Sequence, residues 1–180
     1  MNAANILTVI RIALVPVFLV FAALGNNITA LAVFAVAAIT DFLDGKIARK
    51  YNLVSDFGKL TDPFADKLLV MSAILVFVAM GIIPVWAATV ILGREFAVTS
   101  LRMIAASKGI VIAAGMSGKV KTFVHCIALC IMLLLWDKAI PVCCCVSVQD
   151  ILVYAMTAIS LYSCVDYFIK NSYVLKGEIK

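Results

Sequence analysis

Charged residues are scarce in this chain. Its 180 residues include 15 Lys and Arg and 10 Asp and Glu, together 14% of the sequence, whereas a water-soluble domain carries about 25%. Apolar residues fill the deficit at 65%, and the mean hydropathy is +1.14. A soluble globular protein is excluded, because the surplus apolar surface must face lipid. The net charge of +5 comes with no basic run interleaved with aromatics, so nucleic acid is not an expected partner. There is a single histidine, His125, with no second histidine or cysteine at a matching spacing, which points to a packed or hydrogen-bonded helix residue. The six cysteines at 126, 130, 143, 144, 145 and 164 form no pair of separated CxxC units, and small apolar packing is their favoured role. Linkers, repeats and low-complexity tracts are missing, which leaves one domain over 1–180. No basic cluster precedes the first apolar stretch and Arg11 lies inside it, so a cleaved signal peptide is not expected.

What is present is a succession of apolar runs. Hydropathy marks spans near 5–24, 29–48, 60–80, 84–107, 121–137 and 148–168, bounded by signals such as Gly25-Asn26-Asn27 and Gly81-Ile82-Ile83-Pro84. The expected fold is an all-α integral membrane protein with six transmembrane helices and both termini cytoplasmic. With that orientation the cytoplasmic segments collect Lys46, Arg49, Lys50, Lys59, Lys108, Lys119, Lys121, Lys170, Lys176 and Lys180, and the outer connections hold only Lys138. The triple cysteine 143–145 then lies outside, where a disulfide or reactive thiol is the lesser alternative.

Four carboxylates stand at the cytoplasmic ends of the second and third spans. Asp41 and Asp44 are three apart, Asp62 and Asp66 four apart, so each pair projects from one helix face. A short connection makes these helices antiparallel neighbours and brings the pairs together. Four like charges at that depth repel and lose hydration, which calls for protonation or a multivalent cation. Oxygen-only ligands favour Mg²⁺ or Mn²⁺ over Zn²⁺. Gly45, Ala48 and Gly58 would let a flat or phosphorylated ligand approach the backbone, although taken alone small residues at such spacing point first to tight helix packing. Pairing with Arg49, Lys46, Lys59 and Lys67 explains one or two of the carboxylates, not four.

Together Asp41, Asp44, Gly45, Ala48, Arg49, Gly58, Asp62 and Asp66 spell DxxDGxxAR, eight residues, GxxxDxxxD. This resembles the signature of the CDP-alcohol phosphatidyltransferases. The resemblance implies a metal enzyme that displaces CMP from a CDP-linked lipid with an alcohol, working with Mg²⁺ or Mn²⁺, two ions in all. Asp41, Asp44, Asp62 and Asp66 are implied as metal ligands, with Asp66 also the general base. Thr8, Asp44, Gly45, Ala48, Arg49 and Gly58 are implied at the CDP-lipid. A homodimer in the bacterial plasma membrane, multi-pass with its active site toward the cytoplasm, is implied as well.

The acceptor is addressed by the fourth and fifth spans. Arg94 lies about ten residues, roughly 15 Å, from the outer end of its span, where a charge needs a cavity or a counter-charge. Glu95 offers an internal ion pair for Arg94 but does not account for Arg102, Lys119 and Lys121, so an anionic, phosphorylated acceptor is expected at these four cations. The segments Gly93–Arg102 and Gly118–Thr122, the start Asn2–Arg11 and the run Asp62-Pro63 to Lys67 are similar to one bacterial branch of the family, although Ala4 stands where that branch often has proline. The implied donor is CDP-diacylglycerol, the acceptor sn-glycerol 3-phosphate, and the products are phosphatidylglycerophosphate and CMP. Another acceptor such as an inositol phosphate remains an alternative, as do a membrane prenyltransferase and a divalent-cation carrier. The prenyltransferases lack this Gly-Ala-Arg spacing, and a carrier needs access from both faces.

Overall fold

The computed structural model describes residues 3–50, 56–110, 112, 115–136, 138, 140–143 and 146–173, without the side chains of 3–7, 41–50, 56–63, 66 and 142–143. Among the described residues six helices follow one another: α1 (Ala3–Ala23), α2 (Asn27–Lys50), α3 (Asp56–Ala79), α4 (Val85–Ser107), α5 (Met116–Leu135) and α6 (Val148–Lys170). All six expected helices are present. The third and fifth begin about four and five residues earlier than hydropathy suggested, since the first turns of α3 and α5 are polar and lower the window average. The segment 138–148 holds a short antiparallel ribbon, β1 (Pro141–Cys143) with β2 (Val146–Ser147), which no hydropathy pattern announces at that length.

Local chemistry explains the helix ends. After α1, Gly25 takes φ +71°, the Gly25 amide donates to Ala22 O at 3.1 Å and the Asn26 amide to Phe21 O at 3.0 Å, a Schellman closure that a residue with a Cβ would strain. Asn26 then caps α2, its Oδ1 accepting from the Thr29 amide at 3.2 Å. Gly109, at φ +73°, closes α4 in the same way, and the following Ile110 packs on the cluster of Val98, Leu101, Ala105 and Tyr167. Ser147 and Asp150 form a reciprocal capping box on α6.

The chain divides into two compact units. The first comprises 1–80 with 129–138. In it α1 packs against α2 and α3, which also touch each other. Alanines 22, 30, 37 and 73 are buried, so the helix backbones approach closely, and Phe18 meets Phe34 with ring centroids 5.9 Å apart. Phe77 and Trp136 make a second ring contact in this unit, edge-on with centroids 6.4 Å apart.

The second unit comprises 81–128 with 139–180. There α4 packs along α6. The buried stripe of α4 is Ala87, Ala88, Ile91, Arg94, Val98, Leu101 and Ala105, spaced three and four apart as one helix face. The buried stripe of α6 is Gln149, Val153, Met156, Thr157, Ser160, Ser163 and Tyr167. Its exposed large apolar and aromatic residues are Ile151, Tyr154, Leu161, Tyr162, Val165 and Ile169, with the charged Asp150 and Lys170 exposed at the two ends. This helix is polar within and apolar without, the reverse of a helix on a soluble protein. By length and composition α5 and α6 are each apolar enough to cross a membrane, and apolar runs of 10–17 residues occupy 8–23, 27–40 and 67–79.

Candidate active site

Asp41 and Asp44 belong to α2 and Asp62 and Asp66 to α3, both in the first unit. Helical backbone at all four positions gives the i, i+3 and i, i+4 registers that place each pair on one face. Gly45, Ala48 and Arg49 follow on α2, and Gly58 lies on the first turn of α3. The side chains at all eight positions lie outside the described residues, so their convergence stays an expectation from register and from the contact between α2 and α3. Among the described residues no three His, Cys, Asp or Glu side chains gather. Just before Asp41, the Thr40 hydroxyl donates to Val36 O and Ala37 O at 2.8 and 2.9 Å, turning its polarity back onto its own helix.

Thr8 lies on α1, which packs against both aspartate-bearing helices, and is 1% exposed. Arg11, three residues further along the same face, is equally buried. Sequence reasoning gave Arg11 no role, although an arginine inside an apolar run was itself a signal.

The four cations of the second unit do not share one environment. Arg94 on α4 is buried, and its Nη1 donates to Glu95 Oε1 at 2.9 Å. Lys121 on α5 is also buried and pairs with the same Glu95 oxygen. One carboxylate thus serves two cations, which leaves these three groups at a net +1. Arg94 Nη2 donates to Ser163 Oγ on α6 at 2.6 Å, and Gly118 presents bare backbone nearby, since an added Cβ would lie 4.0 Å from Nη2. Arg102, two turns beyond Arg94, is exposed, yet its Nε donates to the Tyr167 hydroxyl at 3.0 Å with the guanidinium 5.4 Å from the ring centre. Lys119 is exposed in the first turn of α5. Nearby on α5, the Ser117 hydroxyl donates to Asp166 Oδ2 at 2.6 Å, and Asp166 also pairs with Lys170 at 2.7 Å.

Arg94, Glu95 and Lys121 therefore come together, and Arg102 stands apart on Tyr167. The missed residues are Ser163 and Tyr167, on the buried face of α6, and the half-buried Asp166 between them. His125 is hydrogen-bonded as expected, its Nε2 lying 3.2 Å from Met156 O and 3.0 Å from Ser160 Oγ. Cys130 and Cys164 are free thiols, each half-buried.

Membrane-type helices with inward polar faces, and an aspartate signature on two touching helices, define a membrane enzyme built around α-helices. The family model for CDP-alcohol phosphatidyltransferase matches residues 1–163, and the chain belongs to that family. It is 42% identical over 148 residues to the CDP-diacylglycerol–glycerol-3-phosphate 3-phosphatidyltransferase of Bacillus subtilis, covering 74% of this chain and 77% of the relative. A Rickettsia felis protein of the same name is 40% identical over 136 residues, covering 74% and 75%. A probable phosphatidylglycerophosphate synthase of Mycobacterium tuberculosis is 43% identical over 134 residues, covering 71% of this chain and 64% of the relative.

Proposed function

We propose that this chain transfers a phosphatidyl group from CDP-diacylglycerol to sn-glycerol 3-phosphate, releasing CMP and phosphatidylglycerophosphate. The observation that carries this reading is the agreement of the relatives' names, at about 40% identity over three quarters of the chain, with a buried cation cluster suited to a phosphorylated acceptor. A guanidinium and an ammonium gathered at one carboxylate suit a phosphorylated acceptor better than a neutral one.

The donor set on α2 and α3 is carboxylate oxygen throughout, which suits a hard divalent ion. Asp41, Asp44, Asp62 and Asp66 would hold Mg²⁺ or Mn²⁺, two ions in all. When bound, such ions neutralise the pyrophosphate and the departing CMP. The remaining work falls to the chain. Asp66 accepts the proton from the acceptor hydroxyl as its oxygen attacks the phosphorus bonded to diacylglycerol, and the bond to CMP breaks. Thr8, Asp44, Gly45, Ala48, Arg49 and Gly58 receive the CDP-lipid. Arg94 and Lys121, with Arg102 and Lys119 nearer solvent, take the acceptor phosphate.

The same reading has 1–180 as a single catalytic domain of six spans in a bacterial plasma membrane, termini and active site cytoplasmic, acting as a homodimer. The apolar outer face of α6 and the family match over 1–163 support it. Measuring CMP release from CDP-diacylglycerol with and without glycerol 3-phosphate tests the reaction. Release that depends on glycerol 3-phosphate and on divalent metal is expected. Release driven equally by an inositol phosphate would move the protein to another acceptor.

A further inference from the structure

Arg94 carries five N–H groups in a planar fork, and the second unit engages its nitrogens unequally. Nη1 is held by Glu95 and Nη2 by Ser163, but Nε is buried with no hydrogen-bond partner among the described residues. An unmet donor on a buried charged group is costly, so its persistence calls for a function.

The way Arg94 is held narrows that function. Consecutive residues on a helix point about 100° apart, so an ion pair between Arg94 and Glu95 turns both side chains around α4 toward each other. Glu95 simultaneously takes Lys121 from α5, and Ser163 reaches Nη2 from α6 while remaining wholly buried. A long, otherwise mobile side chain is thereby gripped at both terminal nitrogens by groups from two helices. The remaining nitrogen is the one left to a ligand.

We propose that Ser163 and Glu95 are positioning residues of the acceptor site: they grip the Arg94 guanidinium so that Nε meets the acceptor phosphate, and Glu95 sets Lys121 beside it. The inference rests on the reading of Arg94 as an acceptor-phosphate ligand. Ser163 gives the cleaner test, because removing its hydroxyl leaves every charge in the cluster in place, whereas Glu95→Gln alters charge and geometry together.

The experiment compares the full-length enzyme with Ser163→Ala, Arg94→Ala and the double variant in lipid–detergent micelles. CMP release is followed against each substrate, with inorganic phosphate as a competitive inhibitor. Ser163→Ala should raise the glycerol 3-phosphate KM about 10-fold, raise the phosphate Ki by a similar factor and move the CDP-diacylglycerol KM by less than about twofold. In the Arg94→Ala background, adding Ser163→Ala should cost nothing further, because the serine acts through that arginine. An additive loss overturns the proposal. So does a Ser163→Ala defect shared between both substrates together with a lowered unfolding temperature, which would make the serine a structural tie. An acceptor KM unchanged by Arg94→Ala brings down instead the reading on which the proposal rests.

Discussion

The four aspartates should differ in what their loss removes. Under the proposed metal site, replacing Asp41, Asp44 or Asp62 by Asn would take a charged oxygen from a divalent ion, so metal-dependent binding of CDP-lipid should fall together with turnover. Asp66→Asn keeps the shape but cannot take the hydroxyl proton, so donor binding should largely survive while turnover drops by about 10²–10⁴. Binding of a CDP-lipid to purified variants, paired with CMP-release rates, checks both halves, and near-normal turnover by Asp66→Asn would remove the proposed base. The arginines should divide as well. Arg94 is buried against Glu95 and Ser163, and Arg94→Ala should cost about 10- to 150-fold in kcat/KM for glycerol 3-phosphate through the loss of a charged hydrogen bond. Arg102 is exposed and tied to Tyr167, so water competes at its site and Arg102→Ala should cost less. Equal losses for the two in acceptor titrations would contradict that ranking. Arg94 and Glu95 are neighbours in the chain, and their pairing could be read from the sequence. The Ser163 and Tyr167 contacts could not, because they join residues 69 and 65 positions apart through a helix with little charge to mark its inner face.

Among the elements, α6 joins sequence pattern to both stability and site. Its apolar side is exposed, so its polar stripe faces α4 and α5, supplying Ser160 to His125, Ser163 to Arg94 and Tyr167 to Arg102. Hydropathy identified α6 as a span almost to the residue, because apolar content is a property of the segment. It could not say which face turns inward, because that depends on what packs there. The same averaging hid the start of α5, where Ser117, Gly118 and Lys119 belong to the helix although their polarity resembles a loop. The placement matters, since it puts Lys121 one turn further inside α5 and next to Glu95. The start of α6 is fixed by a reciprocal cap, with Asp150 Oδ2 accepting from the Ser147 amide at 2.9 Å and hydroxyl at 2.7 Å. Ser147→Ala removes the hydroxyl half and should destabilise the protein by about 0.5–2 kcal/mol. Thermal unfolding in detergent should show the lowered midpoint, with acceptor KM unmoved because Ser147 lies four turns from Ser163. An unchanged midpoint would mean that the cap contributes nothing to the folded state.

At the scale of the whole molecule the open quantity is orientation, which no set of internal contacts determines. It rests on the distribution of basic residues: ten lysines and arginines fall in the segments assigned to the cytoplasm and Lys138 alone in the outer ones. Labelling can test this, provided the native thiols can be removed. Cys130 and Cys164 are free, and none of the six cysteines is spaced for metal or nucleophilic work with the aspartates, so a variant with all six replaced by Ala or Ser should retain appreciable CMP-release activity. Complete loss in a correctly inserted variant would show that a thiol or disulfide does more than fill space. In that background a thiol placed at Asn52 should resist a membrane-impermeant reagent in intact cells and react once the membrane is opened, while one placed at Lys138 should react from outside at once. Reaction at position 52 in intact cells would invert the protein in the membrane. It would place the aspartate site on the face away from the cytoplasm, where the charge asymmetry gives no reason to find it.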